Sequence, residues 1–187
     1  MKNSGTVRME TKRLVLRPFV IEDAGAMFRN WANDPQVTKF LSWEPHKDVE
    51  ETKKILEGWI ASYESKDFYT WAIAWREDEG NVIGSIAVPQ LNQKAGRVTV
   101  GYCLGRKWWG NGIMKEAFAE LIRFFFEVEG ANRVEALHDI RNVNSGKVMM
   151  ACGLKKEGTL RQYGWNNQGI CDECIYGMVA SDYFEGK

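Results

Sequence analysis

The first third of the chain carries the apolar periods of one strand and two helices. Residues 13–19 alternate apolar and polar side chains and contain Pro18, a pattern typical of a strand. Glu22 and Asp23 open a helical pattern, which we expect to end at residues 33–35 because the residue before a proline avoids helical geometry. Apolar residues at helical spacing then predict a longer helix over residues 49–65.

The rest of the chain mixes both periods. A charged, turn-rich segment at residues 76–81 separates two predicted strands and indicates a hairpin. Strands are predicted over residues 68–75, 82–88, 97–104, 133–138, 155–163 and 169–179, and helices over 113–128 and 144–151, the second ending at Gly153. The count is about seven strands and four helices. We therefore expect one α/β domain of the α+β type with a mixed central sheet, spanning residues 1–187 with its core at about 10–180.

Composition and charge exclude several classes of protein. Hydrophobic residues make up 44% and charged residues 27% of the 187, as in an ordinary globular protein. The 25 basic and 25 acidic side chains cancel, so direct nucleic-acid binding is not expected. No apolar run approaches the ~18 residues that span a bilayer, and residues 1–9 lack the apolar stretch of a secretory signal. The expected location is the cytoplasm, with no membrane partner.

The cysteines raise one alternative chemistry. Cys171 and Cys174 have the CxxC spacing of redox and metal sites, but a structural zinc site needs a second ligand pair. The two histidines, His46 and His138, stand alone in the sequence. Ordinary strand thiols are the favoured interpretation and no metal is expected, whereas a redox role for Cys171 and Cys174 stays open.

The most informative segment joins the strand over residues 97–104 to the following helix. Glycines at 105, 110 and 112 leave backbone N–H groups unobstructed, and the helix adds the positive end of its dipole, which favours phosphate oxygens. Gly105 and Gly110 have Walker A spacing, but Asn111 and Gly112 follow in place of Lys and Ser or Thr. Lys115 stands where a dinucleotide fingerprint needs its third glycine. A tight turn without a ligand remains the alternative.

A second polar segment, Asn142-Val143-Asn144-Ser145, opens the helix that follows the strand over residues 133–138. Asn142 and Ser145 have side chains that cap helices, which is a purely structural interpretation. They also fall where a ligand would need polar contacts if it lay beside residues 105–112, called the glycine loop below.

Together these motifs make the chain similar to the GNAT superfamily of N-acetyltransferases. Its Q/R-x-x-G-x-G/A loop is matched by Lys107 to Gly112, with lysine in the first position, and its Asn-x-x-Ser segment by Asn142 and Ser145. The chain most resembles the branch of ribosomal-protein N-terminal (Ser/Ala) acetyltransferases, over about residues 10–179. That branch is matched further by residues 11–18, Gly101-Tyr102, Glu116-Ala117, Cys152-Gly153-Leu154 and Glu157-Gly158.

The resemblance implies a sheet splayed between its fourth and fifth strands and acetyl-CoA as cosubstrate. The pantetheine arm would lie in the splay like an added strand. The implied cofactor contacts are Tyr102, Cys103, Leu104, Lys107, Trp108, Trp109, Gly110, Asn111, Gly112, Asn142 and Ser145.

The implied reaction is direct attack of an amine on the thioester through a tetrahedral intermediate. Ser145 is the candidate that reprotonates the departing thiolate. Many relatives place a glutamate where this chain has Thr99, so the general base is unassigned. His138 is the first candidate, because its ordinary pKa suits neutral pH. Glu135, Asp172 and a chain of waters are the alternatives.

The acceptor follows from the branch alone. We expect a primary amine, with a protein N-terminal amine ahead of a small amine such as a polyamine, amino acid or aminoglycoside. A non-catalytic acyl-CoA-binding module is the alternative outside enzymes. A monomer and a homodimer are equally compatible with the sequence.

Overall fold

One eight-stranded mixed sheet organises residues 1–186, the part of the chain that the computed structural model describes. The strands are β1 (Met9–Glu10), β2 (Leu14–Arg17), β3 (Thr70–Trp75), β4 (Gly84–Asn92), β5 (Arg97–Leu104), β6 (Arg133–Asp139), β7 (Lys155–Asn166) and β8 (Gly169–Val179). Their order is β1-β2-β3-β4-β5-β6-β8-β7. Neighbours are antiparallel except β5 and β6, which are parallel.

Within residues 1–186, six α-helices flank this sheet, and two of them continue as π-helix. The helices are α1 (Ala24–Met27), α2 (Pro35–Thr38), α3 (Val49–Ser62), α4 (Ile113–Arg123), α5 (Val143–Ala151) and α6 (Ala180–Glu185). The π segments are Phe28–Ala32 after α1 and Phe124–Glu129 after α4.

The fold class and the mixed sheet are as predicted, whereas the counts of about seven strands and about four helices were low. The additional elements are β1, α2 and α6, which have two, four and six residues and are too short to show a period. The strand predicted over residues 82–88 is shifted, because β4 continues to Asn92 past Pro89. A register irregularity between Ala87 and Gln90 accommodates the missing N–H of that proline.

The sheet is covered on both faces by separate hydrophobic clusters. On one face, α4 buries Ile113, Ala117, Phe118 and Leu121 against the strands, and Met149 of α5 joins the same cluster. On the other face, α1 and α3 pack with Trp31 and Leu56 in a second cluster. The face that carries α4 and α5 is called the helix α5 face below, and the other the helix α1 face.

The parallel strands β5 and β6 separate towards their carboxyl ends. Their pairs run from Arg97–Arg133 to Val100–Ala136, and beyond this point residues 101–104 and 137–139 diverge. The predicted splay is therefore present. It lies between β5 and β6 rather than between the fourth and fifth strands, because β1 adds one strand to the numbering. It leaves a cleft at the carboxyl ends of these two internal strands, where the glycine loop and the start of α5 lie.

Candidate active site

The glycine loop leaves β5 through a close contact at Gly105. The Gly105 amide donates to the Ile83 carbonyl at 2.8 Å, and an added Cβ at Gly105 would approach the Asn30 carbonyl oxygen to 2.5 Å. A 3-10 turn, Arg106–Trp108, follows. The indole Nε1 of Trp109 then donates to the Leu104 carbonyl at 2.7 Å and fixes the loop to the end of the strand.

Gly110 and Gly112 give this loop its shape. Both have left-handed backbone angles, with φ of +77° and +70°. Such angles cost a side chain roughly 1–2 kcal/mol, so they favour glycine. Gly112 is the N-cap of α4, and within residues 1–186 no side chain caps it. The first-turn amides of α4 are thus open to a ligand, as an anion site at a helix N-terminus requires.

A network that the sequence did not reveal ties this loop to the turn between β1 and β2. The Arg13 guanidinium donates to the Asn111 carbonyl at 3.2 Å, and its Nε donates to Glu116 in the first turn of α4 at 2.6 Å. Thr11 donates to the same carboxylate at 2.6 Å. Burial opposes ionisation of Glu116, but the hydrogen bonds from Thr11 and Arg13 hold its pKa below the usual range. The resulting charged cluster fixes the loop against the start of the helix.

Arg106 and Lys107, the two cations beside the loop, differ in whether a carboxylate is already paired with them. Arg106 donates to Asp34, the N-cap of α2, at 2.9 Å, so its charge is already paired. The Lys107 ammonium lies 5.5 Å from the centre of the Trp108 ring. Lys107 is exposed and forms no salt bridge within the described chain, which leaves its charge available to an anion.

The start of α5 faces this loop across the cleft. Asn142 is the N-cap residue, yet within the described residues its side chain makes no capping hydrogen bond. The capping interpretation of Asn142 is therefore wrong, and its amide is free for a ligand. The Tyr102 hydroxyl lies 3.0 Å from both the carbonyl oxygen and Oγ of Ser145, and burial raises the pKa of Tyr102. Ser145 and the end of β5 are thus connected directly.

His138 lies on the helix α5 face of β6 and is 8% exposed. Its Nδ1 is 2.8 Å from the Asp139 carbonyl oxygen, so Nδ1 carries the proton. Nε2 is buried and lacks a hydrogen-bond partner within residues 1–186. An added Cβ on Gly146 would approach Nε2 to 2.6 Å, so this nitrogen points at the first turns of α5, next to Ser145.

Thr99 and Glu135 form a pair on the opposite face of the sheet. They are partners in the parallel register of β5 and β6, and Thr99 Oγ1 donates to Glu135 at 2.9 Å. Arg133 Nε donates to the second oxygen of Glu135 at 2.8 Å. Glu135 is 5% exposed. A carboxylate is therefore present beside Thr99, supplied by the neighbouring strand and engaged in hydrogen bonds.

The β7–β8 hairpin folds over the carboxyl end of β6. Asn166 donates to Asp139 at 2.8 Å, and Arg141 binds the same carboxylate through Nε and Nη2. The hydrogen bonds from Arg141, aided by Asn166, hold the pKa of Asp139 well below its usual range. At the hairpin tip, Asn167 donates to the carbonyls of Thr38 and Trp43. The hairpin tip is thus joined to Thr38 at the end of α2 and to Trp43 in the α2–α3 loop.

The cysteines do not assemble into a redox or metal centre. Cys171 packs with Asn166, whereas Cys174 packs in the cluster below α5, so the two buried thiols face opposite sides of β8. Burial raises the pKa of Cys103 to about 11 and that of Cys152 to about 12. In the part of the chain that the structure describes, no three His, Cys, Asp or Glu side chains lie where they could hold a metal ion.

Comparisons with known proteins agree with this geometry. The family model of the acetyltransferase (GNAT) domain matches residues 13–155. The uncharacterized N-acetyltransferase YoaA of Bacillus subtilis is 32% identical over 91% of this chain and 96% of its own length. The [ribosomal protein uS5]-alanine N-acetyltransferase of Escherichia coli is 27% identical over 99% of this chain and 97% of its own length. A ribosomal L7/L12 alpha-N-protein acetyltransferase, solved with coenzyme A, shares the fold, with TM-score 0.82 and 19% identity over 94% of this chain and 99% of that one.

The splayed sheet and the glycine loop at the start of α4 define an acetyltransferase fold, and the chain belongs to the GNAT family. It is an N-acetyltransferase that uses acetyl-CoA as its cosubstrate. Among residues 1–186, no helix is both long and apolar enough to cross a membrane.

Proposed function

We propose that this enzyme transfers the acetyl group of acetyl-CoA to a protein N-terminal amine. The observation that carries the proposal is the cleft between β5 and β6, which opens beyond Val100–Ala136 beside the uncapped start of α4. The pyrophosphate would bind the amides of residues 110–112 and Lys107, with Trp108 and Trp109 shaping the loop. Pantetheine would pair with the backbone of Tyr102, Cys103 and Leu104 and contact the Asn142 side chain.

The chemistry needs positioning, an oxyanion site and two proton transfers. The amine attacks the thioester carbon, and a backbone N–H of residues 102–104 stabilises the resulting oxyanion. Donors of this kind contribute roughly 3–4 kcal/mol in other acyl-transfer sites. No nucleophilic side chain is required, since the amine itself is the nucleophile.

Ser145 and His138 are the proposed catalytic side chains on the helix α5 side. Collapse of the intermediate breaks the C–S bond, and the departing thiolate takes a proton from the Ser145 hydroxyl, which regains one from solvent. Tyr102 orients that hydroxyl by its hydrogen bond. The unpartnered Nε2 of His138 lies beside the same turn of α5 and can accept a proton there, so we place its role on the Ser145 side of the cleft.

The acceptor class is supported by the relatives that are named for ribosomal-protein alanine and serine acetylation. On the helix α1 side, Asn167 at the tip of the β7–β8 hairpin is hydrogen-bonded to Thr38 and Trp43. In this proposal an extended peptide end enters the cleft from that side with its terminal amine leading. A ribosomal acceptor would place the reaction in the cytoplasm.

The test is an acetyl-CoA turnover screen that follows release of free CoA thiol. Peptides beginning with Ala or Ser are compared with polyamines, amino acids and aminoglycosides, and with the same peptides carrying a blocked N-terminus. We expect turnover with free N-termini and none with blocked ones. Turnover confined to small amines would refute the acceptor class. Binding of acetyl-CoA without turnover on any amine would refute the enzymatic function.

A further inference from the structure

Two acidic side chains lie side by side on the helix α1 side of the cleft. Asp139 of β6 and Glu173 of β8 are partners in the antiparallel register, so both project from the same face of the sheet. Asp139 is 3% exposed and bound by Arg141 and Asn166. Glu173 is half-buried, and within residues 1–186 its carboxylate has no hydrogen bond and no ion pair. A half-buried carboxylate without a partner is costly, which calls for a functional explanation.

A glycine in the facing strand makes room for this carboxylate. Gly164 of β7 lies beside Glu173, and a Cβ added to Gly164 would collide with the carboxylate oxygen Oε1. Its φ is not in the left-handed region, so backbone conformation does not require glycine here. The Glu173 side chain thus occupies the space that a side chain at residue 164 would fill, and it lies against the backbone of β7.

The surroundings of Glu173 raise the pKa of its carboxyl group. The titratable neighbours of Glu173 are Asp139 of β6 and Cys171, which lies two residues before it on β8. The nearby Arg141 is bound to Asp139, and the residue of β7 that adjoins Glu173 is Gly164. Burial, and after it the charge of Asp139, raises the pKa of Glu173. A carboxylate whose pKa is raised is a stronger base for an incoming amine.

The two carboxylates that β6 places on this face are already engaged. Glu135 accepts from Thr99 and Arg133, and Asp139 accepts from Arg141 and Asn166. These hydrogen bonds occupy lone pairs of both carboxylates, and those to Asp139 also hold its pKa below the usual range. Among the carboxylates that β6 and β8 place on this face, Glu173 is therefore the one without a hydrogen bond within residues 1–186.

We propose that Glu173 is the general base for the incoming amine, a role that rests on the proposed acetyl transfer. The acceptor arrives as R–NH₃⁺ on the helix α1 side. Glu173 takes one proton, directly or through one water, to give R–NH₂ and a protonated carboxyl group. The amine attacks, the C–S bond breaks, and Ser145 protonates the sulfur on the opposite side. The nitrogen of the intermediate releases its second proton, Ser145 regains a proton from solvent, and Glu173 releases its proton, so that one net proton leaves to solvent.

The first test replaces the carboxylate without changing its shape. We expect Glu173→Gln to lower kcat/KM by about 100-fold or more at pH 7, the usual effect of losing a general base. The Kd of acetyl-CoA should not change. The wild-type kcat/KM should decrease at acidic pH, with a midpoint above the ordinary pKa of a glutamate. This acidic limb of the pH profile should be absent from the variant. Glu157→Gln, which removes a surface carboxylate of β7, is the matched control.

A second variant moves the carboxylate to the facing strand. In Glu173→Gly with Gly164→Glu, the side chain from β7 enters the same space, since the Cβ at residue 164 points at it. We expect this double variant to recover at least about tenfold in kcat/KM over Glu173→Gln. Recovery of this kind indicates a requirement for a carboxylate at that place, because a purely structural side chain would not be restored by the exchange.

Thermal unfolding shows whether the variant is folded. The raised pKa means that ionised Glu173 opposes folding at neutral pH, so Glu173→Gln should increase Tm at pH 7. A Glu173→Gln variant with wild-type kcat/KM and the acidic limb intact would overturn the base assignment and leave the acetyl transfer standing. A wild-type enzyme that acetylates no amine would overturn both.

Discussion

The hydroxyl of Tyr102 and the hydroxyl of Ser145 lie 3.0 Å apart across the cleft between β5 and α5. This hydrogen bond, with a second one to the Ser145 carbonyl, connects the strand that would hold pantetheine to the helix that would serve the leaving sulfur. The two residues come from segments 43 positions apart in the sequence. The contact therefore places the proposed proton donor by tertiary packing.

The first prediction separates proton donation from positioning at this contact. Ser145→Ala should lower kcat about tenfold or more, with KM for acetyl-CoA little changed, because the hydroxyl acts on the leaving group. Tyr102→Phe should lower kcat less, about 3- to 10-fold, and lower the free energy of unfolding by about 1 kcal/mol. Steady-state kinetics and urea unfolding measure both. Equal kcat in Ser145→Ala and wild type would exclude the donor role.

The second prediction concerns the glycine loop. Gly110→Val places a side chain in open space but on a left-handed backbone, so the domain should fold while the loop amides are displaced. We expect the Kd of acetyl-CoA, measured by calorimetry, to rise at least about tenfold. Gly130→Val is the matched control, because Gly130 also has a φ of +70° and open space but lies at the end of the π segment after α4. Equal loss of affinity in both variants would count against a phosphate site in the loop.

The third prediction addresses the network behind that loop. Glu116→Gln weakens the bonds from Thr11 and Arg13, so Asn111 and the first turn of α4 should lose their fixed position. We expect a loss of about 1–2 kcal/mol in unfolding free energy and weaker acetyl-CoA binding. Glu120→Gln, on the same helix and bonded to Arg123, should leave the affinity for acetyl-CoA unchanged. If Glu116→Gln binds as tightly as wild type, the network stabilises the fold alone.

The fourth prediction is a pH dependence of stability at Asp139. Its pKa is depressed in the folded protein, so its ionisation stabilises the fold above its unfolded pKa of about 4 and this contribution is lost as pH falls through the folded pKa. Asp139→Asn should thus lower Tm clearly at pH 6, where the bonds to Arg141 are intact in wild type. The Tm difference between the two proteins should shrink towards pH 3. A difference independent of pH would show that the Arg141–Asp139 charges contribute nothing.

The sequence predicted the fold class because each long element carries its own period. The helix that begins at Ile113 and the strands over residues 97–104 and 133–138 were placed closely, since their apolar side chains have to reach one core. The glycines at 110 and 112 were also informative by themselves, because their backbone angles are set locally. The short elements β1, α2 and α6 were missed, since one turn or one pair of residues shows no period.

The sequence by itself determined the family, the glycine loop and the Asn142 and Ser145 segment. The tertiary structure decided which carboxylates meet the cleft. Thr99 marked only a missing glutamate, whereas strand pairing put Glu135 beside it and put Glu173 over Gly164. The physical reason is that pairing register and hairpin curvature set these contacts, and both depend on residues far apart in the chain. A local pattern records which side chains are present, but their hydrogen bonds and free lone pairs arise only when the strands assemble.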